Sequence, residues 1–175
     1  MTRRIVVTGP PGCGKTSTLS LLTGGGIEIV REAATDVNDE MLAEGIERPE
    51  LQPDFLSRIA AVQRARRLAA VEPIQLHDRS VFCTVTLARY LGVPLPDELE
   101  AEVAAVGGWF ENTVAFLEPL GFITRTAVRR ISYEDTLAFG ELHREVYAQY
   151  GFNLYYVPPA EPEHRAALIR RQLAI

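Results

Sequence analysis

The sequence predicts an α/β protein with a five-stranded parallel sheet and helices on both faces. Three observations predict it. Five short apolar, β-branched runs alternate with amphipathic stretches, the pattern of a parallel sheet covered on both sides. The first run passes directly into Gly9-Pro10-Pro11-Gly12-Cys13-Gly14-Lys15-Thr16 and then into a helix-compatible stretch. Polar residues stand at the carboxyl ends of the runs, where sheets of this kind bind ligands.

The elements follow in order. Arg4–Thr8 is the first strand, and the segment from Thr16 to Leu22 continues as a helix with Leu19 and Leu22 inward. Ile27–Arg31 is the second strand, entered through Gly24-Gly25-Gly26 and ending at Glu32. A helix runs from Ala33 to about Glu44, closed by Gly45, and residues 46–53 connect it to the next. That helix runs from Asp54 to about Val71, with Phe55, Ile59, Val62, Ala65 and Ala69 on one face and Arg58, Arg64 and Arg67 on a solvated one. Ile74–His77 is the third strand, with Asp78 and Arg79 at its carboxyl end. Ser80 caps a helix to Leu91 that is apolar on several sides and therefore buried. Pro96 and Asp97 open another helix ending near Gly107-Gly108. Val114–Leu117 is the fourth strand and ends in Glu118. Ser132-Tyr133-Glu134-Asp135 starts a capped helix to Tyr150, which Gly151 stops. Asn153–Val157 is the fifth strand, and Pro162 begins a last helix that packs Leu168, Ile169 and Leu173.

The glycine-rich segment reads G-x-x-x-x-G-K-T, a phosphate-binding loop. Glycines let the backbone approach a ligand closely. Successive N–H groups then form an anion nest, to which the following helix adds its positive end. Gly9, Pro10, Pro11, Gly12, Cys13, Gly14, Lys15, Thr16 and Ser17 are the candidate nucleotide-binding residues. Lys15 supplies charge for the β- and γ-phosphates and Thr16 a hydroxyl for Mg2+. Lys15 is the only lysine in a chain with 18 basic residues. Arginine serves everywhere else, so this position selects a compact ammonium over a planar fork.

At 175 residues the chain is expected to form a single domain, 1–175, with a lid segment around 119–131. Its net charge of −5 argues against general nucleic-acid binding. No apolar run reaches the ~18 residues of a membrane span, and the N-terminus does not read as a signal peptide. Cys13 and Cys83 make no disulfide framework, and Cys13 reads as a small loop residue. His77, His143 and His164 lack metal-ligand spacing. The expectation is a cytoplasmic protein, monomer or homodimer, with Mg2+ as its only metal and no membrane partner.

Phosphoryl transfer needs a phosphate cradle, a metal, positive charge for the transferring group and a residue that orients or deprotonates the acceptor. Lys15 and Thr16 serve the first two. Asp78 is placed to bind a metal-ligated water, and Glu32 or Asp78 to take a proton from an acceptor hydroxyl. Arg79 is the candidate acceptor contact. Arg125, Arg129 and Arg130 follow the fourth strand with no acid between Glu118 and Glu134. They read as a phosphate-sensing lid, Arg125 and Arg130 on the nucleotide and Arg129 in catalysis. Trp109, Phe110 and Tyr133 read as core.

With these residues the sequence resembles the small P-loop kinase-like proteins described as AAA-type ATPases. These are similar to ribosylnicotinamide kinase and, more distantly, to nucleoside and thymidylate kinases. The resemblance rests on G-P-P-G-C-G-K-T at 9–16, R-E-A-A at 31–34, D-R-S at 78–80 and L-G-V-P at 91–94. It extends through R-T-A-V-R-R at 125–130, Glu141 and His143, and Y-G-F-N-L-Y-Y-V-P at 150–158. It implies a P-loop NTPase three-layer sandwich with sheet order 2-3-1-4-5, Glu32 as a base after strand two, and Asp78-Arg79 at the acceptor and metal site. Relatives often carry an acid after the first lid arginine, where this chain has Thr126.

Other nucleotide-binding classes fit less well. A guanine motif N/T-K-x-D is impossible with one lysine, and no D-x-x-G switch motif is present. The acidic pair of remodelling ATPases is replaced by Asp78-Arg79. The expected function is a Mg-ATP-dependent phosphotransferase acting on a small nucleoside- or nucleotide-like acceptor. An ATPase without acceptor and a nucleotide-dependent regulatory module are the alternatives.

Overall fold

Strand β1 (Arg3–Thr8) runs through the centre of the sheet, and the rest of the chain is laid out on either side of it. The computed structural model describes residues 2–121 and 132–175. Strands β2 (Ile27–Val30), β3 (Ile74–Asp78), β4 (Thr113–Leu117) and β5 (Asn153–Val157) complete a sheet of order β2-β3-β1-β4-β5. All four pairings are parallel, as the alternation of strands and helices requires.

The helices are α1 (Lys15–Ser20), α2 (Ala34–Ala43), α3 (Phe55–Ala69), α4 (Val81–Leu91), α5 (Asp97–Ala105), α6 (Tyr133–Gln149) and α7 (Pro162–Leu173), with a 3-10 turn at Pro49–Leu51. Alternate residues of β1 feed opposite faces of the sheet. Ile5 and Val7 pack with Leu76, Ala115 and Leu117 under α1 and α7. Val6 packs with Val114 under α4, α5 and α6, among Phe82, Val85, Leu99 and Tyr147. A further cluster joins α2 to α3 through Val37, Met41, Phe55 and Ile59.

Three features differ from the sequence expectation. Helix α1 stops at Ser20 instead of running to Leu22, because the chain turns there toward Gly24-Gly25-Gly26; Leu19 and Leu22 are buried all the same. The apolar stripe of α3 ends early: Ala65 and Ala69 are exposed. Gln63, Arg66 and Arg67 instead line a cleft at the end of β3. Arg67 is therefore not on a solvated face. Its Nε donates to Glu102 at 2.7 Å, with both side chains buried. Phe110 is core as expected, whereas Tyr133 is 38% exposed. Among the described residues no helix is long and apolar enough to cross a membrane.

Candidate functional site: a phosphate loop facing an acid-arginine pair

The loop leaves β1 at Thr8 and returns into α1 at Lys15. Gly9 is required by contact as well as by conformation. A Cβ there would lie 2.5 Å from the Leu117 carbonyl oxygen and 2.8 Å from Cys13 Sγ, at a φ of +151°. The loop is thus pressed against the end of β4. Cys13 is fully buried and belongs to the core. Thr16 and Ser17 are exposed at the start of α1.

Sheet register brings the other residues to this loop. Val7 pairs with Asp78, and Val30 with His77. Asp78 thereby stands beside the end of β1, and Glu32, two residues beyond β2, comes level with Arg79. Lys15 Nζ lies 3.9 Å from Asp78 Oδ1, and both side chains are largely buried. That carboxylate oxygen has no hydrogen-bond partner.

Arg79 sits in the left-handed region at φ 69°. This conformation costs a non-glycine residue about 1–3 kcal/mol, and such strain concentrates at functional positions. It lets the chain turn from β3 into α4 while Arg79 N–H donates to the Val7 carbonyl at 3.0 Å. Ser80 then caps α4 by accepting from Phe82 N–H at 3.3 Å. The Arg79 guanidinium points inward, with Nε 3.6 Å from Glu32 Oε1. Its Nη1 donates to His143 Nε2 at 3.3 Å. The direction of that bond follows from the other ring nitrogen. Nδ1 lies 2.9 Å from the Phe139 carbonyl, which can only accept, so Nδ1 carries the proton and Nε2 offers its lone pair.

Glu32 Oε2 accepts from the Thr35 hydroxyl at 2.6 Å. Burial pushes the Glu32 carboxyl up, but Arg79 and Lys15, with the Thr35 bond, outweigh it and hold it below the ordinary carboxylate range. Glu32 is therefore an anion at neutral pH. Arg66 donates from α3 to the Glu32 carbonyl and to Asp36, fixing the turn that carries Glu32. Beneath Arg79, Tyr147 Oη shares hydrogen bonds with Ser80 Oγ at 2.7 Å and Cys83 Sγ at 3.2 Å, and Cys83 Sγ with Thr8 Oγ1 at 3.1 Å. This buried network ties α4 and α6 to the strand that feeds the phosphate loop.

Lys15, Thr16, Glu32, Asp78 and Arg79 thus gather at the carboxyl ends of β1, β2 and β3. Arg125, Arg129 and Arg130 lie outside the described residues. Sequence reasoning missed three participants. His143 orients Arg79, Arg66 braces Glu32, and Arg165 in α7 donates to carbonyls around the phosphate loop. His143 at least stood within a stretch singled out for its resemblance; nothing in the spacing of Arg66 or Arg165 marked them.

Fold and site together define a P-loop protein of kinase-like architecture. The chain belongs to the AAA domain family, whose model matches residues 4–165. No curated protein matches it. Among solved structures, the NadR protein in complex with NR is similar over 99% of this chain, with a TM-score of 0.73 and 16% identity. This chain spans about half of NadR, 52% of its length. The thymidylate kinase of Ehrlichia chaffeensis is similar over 100% of both chains, with a TM-score of 0.63 and 12% identity. The deoxyadenosine kinase of M. mycoides with bound dATP covers 99% of this chain and is itself covered in full, with a TM-score of 0.61 and 14% identity. At these identities the likeness is one of fold.

Proposed function

We propose that the protein is a Mg-ATP-dependent phosphotransferase whose acceptor is a small nucleoside- or nucleotide-like molecule. The observation that carries this reading is the acid-arginine pair, Asp78 and Arg79, held against the phosphate loop with Glu32 beside it. A nucleotide switch or remodelling ATPase needs no second, acceptor-side set of acid and arginine. The thymidylate and deoxyadenosine kinases among the structural neighbours favour an acceptor of nucleoside type.

Each residue has a distinct task. Lys15 and the loop N–H groups bind the triphosphate. The residues fit a magnesium ion: the Thr16 hydroxyl is exposed beside the loop, and the buried Asp78 Oδ1 lacks a partner that a metal-bound water would supply. When bound, the ion neutralises charge on the phosphates. Glu32, ionised and partly exposed, accepts the proton of the acceptor hydroxyl. Arg79, gripped by Glu32 and His143, orients the acceptor. Arg125, Arg129 and Arg130 belong to the proposed lid.

Glu32→Gln and Asp78→Asn separate these tasks. Glu32→Gln is expected to lower kcat by at least about 100-fold at unchanged ATP affinity, the usual contribution of a general base. Asp78→Asn is expected to raise the Mg2+ concentration needed for half-maximal rate. A kcat left intact in Glu32→Gln would remove Glu32 as the base.

A further inference from the structure

Arg165 is the bulkiest fully buried side chain in the described protein, 1% exposed, and it has no carboxylate partner among the described residues. It lies in the first turn of α7, where the helix dipole disfavours a cation. Burial pushes its guanidinium below the ordinary arginine value. A buried cation in such a place is costly unless hydrogen bonds and an opposite charge offset it.

The hydrogen bonds are visible. Nε donates to the Pro158 carbonyl at 2.9 Å, and Nη2 to the carbonyls of Glu118 at 2.6 Å and Val157 at 3.2 Å. Nη1 donates to the carbonyl of Cys13, inside the phosphate loop. One guanidinium therefore joins the ends of β4 and β5 to the loop. Of the five guanidinium N–H groups these bonds use four and leave one, on Nη1. Nη1 lies directly behind Gly14, where an added Cβ would sit 3.4 Å from it. Among the described residues the Glu118 carboxylate acts on this cation from a distance but makes no ion pair with it.

We propose that Arg165 is a positioning residue for nucleotide binding: it clamps the phosphate loop through the Cys13 carbonyl and places behind Gly14 a buried positive charge that the polyphosphate of the ligand completes. The proposal rests on the reading of residues 9–16 as a nucleotide site. It makes the loop's shape and its charge depend on a residue 152 positions away in sequence. Lysine at 165 would keep the charge but lose the fork that spans three loops.

The test is calorimetric titration of the full chain with Mg-ATP and, separately, with inorganic tripolyphosphate, for the wild type, Arg165→Lys and Arg165→Met, below the Tm of each. Arg165→Met is expected to weaken both ligands by about 10-fold or more, the scale of a charged hydrogen bond. Arg165→Lys is expected to recover part of that loss. A purely structural arginine would lower Tm and leave both affinities within about twofold in the folded variants, and that result would overturn the proposal. Should Arg165→Met not fold, the wild type decides. Its Arg165 guanidinium 15N signal, assigned by its loss in Arg165→Lys, must shift on adding tripolyphosphate, and an unmoved signal refutes the proposal. A wild type that binds neither ligand would sink the nucleotide reading itself, whereas binding by wild type and Met variant alike would sink only the role of Arg165.

Discussion

His77 offers a stability prediction whose size follows from its surroundings. It precedes Asp78 in β3 and is 4% exposed, with the rings of Trp109 and Phe110 near-perpendicular to its own at centroid distances of 5.3 and 5.1 Å. Its Nε2 has no hydrogen-bond partner. Burial, then the guanidinium groups of Arg4 and Arg67, push its pKa from 6.5 down to about 3. In the unfolded chain the ring takes a proton near 6.5, while in the folded protein it stays neutral to about pH 3. Between those values the unfolded state binds more protons. The contribution is fully present above pH 6.5 and is lost progressively as the pH falls toward 3. At pH 5 the loss from this group alone is about 2 kcal/mol, at ~1.4 kcal/mol per pH step below 6.5. Urea unfolding of the wild type and His77→Gln at pH 7 and pH 5 reads it directly. Each protein's loss of stability on acidification is compared, so carboxylates common to both cancel. The loss should be about 2 kcal/mol smaller in His77→Gln. Equal losses would mean that His77 accepts a proton in the folded state, and the description of its neutral pocket beside the site would be wrong.

Two further predictions concern the site. His143→Asn keeps a donor for the Phe139 carbonyl but removes the acceptor that faces Arg79; His143→Gln carries an amide oxygen near the Nε2 position. Steady-state kinetics should show acceptor KM raised about 10-fold in the Asn variant with ATP KM unchanged, and partial recovery in the Gln variant, the scale expected for losing one bond to a charged group. Lys15→Ala should reduce turnover by at least about 100-fold, as loss of a preorganised charge on the transferring phosphate does. Wild-type turnover in that variant would reject the phosphate-loop assignment.

The fold was legible because its signals are local. Strand alternation, the glycine loop and the Ser132–Asp135 capping box are written in short stretches, and the structure contains all of them. The convergence of Glu32 and Asp78-Arg79 on the loop was legible too, since parallel strands present their carboxyl ends on one side. What the sequence concealed depends on partners far along the chain. Arg67 on Glu102, His143 on Arg79 and Arg165 on Cys13 join different elements. On its own helix, each arginine looks like an ordinary solvated charge. The early end of the apolar stripe in α3 has the same origin, because there Gln63, Arg66 and Arg67 line a cleft at the end of β3. With a single lysine at Lys15, the remaining basic residues are all arginine. Composition therefore could not tell the buried arginines from the exposed ones.

Transfer of the labelled γ-phosphate of Mg-ATP, with pooled nucleosides, nucleotides and other small metabolites offered as acceptors, tests the account most directly. The account predicts label appearing in a product of one pool, at a rate that depends on that pool and vanishes in Lys15→Ala. Release of inorganic phosphate at a rate indifferent to every pool, or tight ATP binding with no turnover, would contradict it.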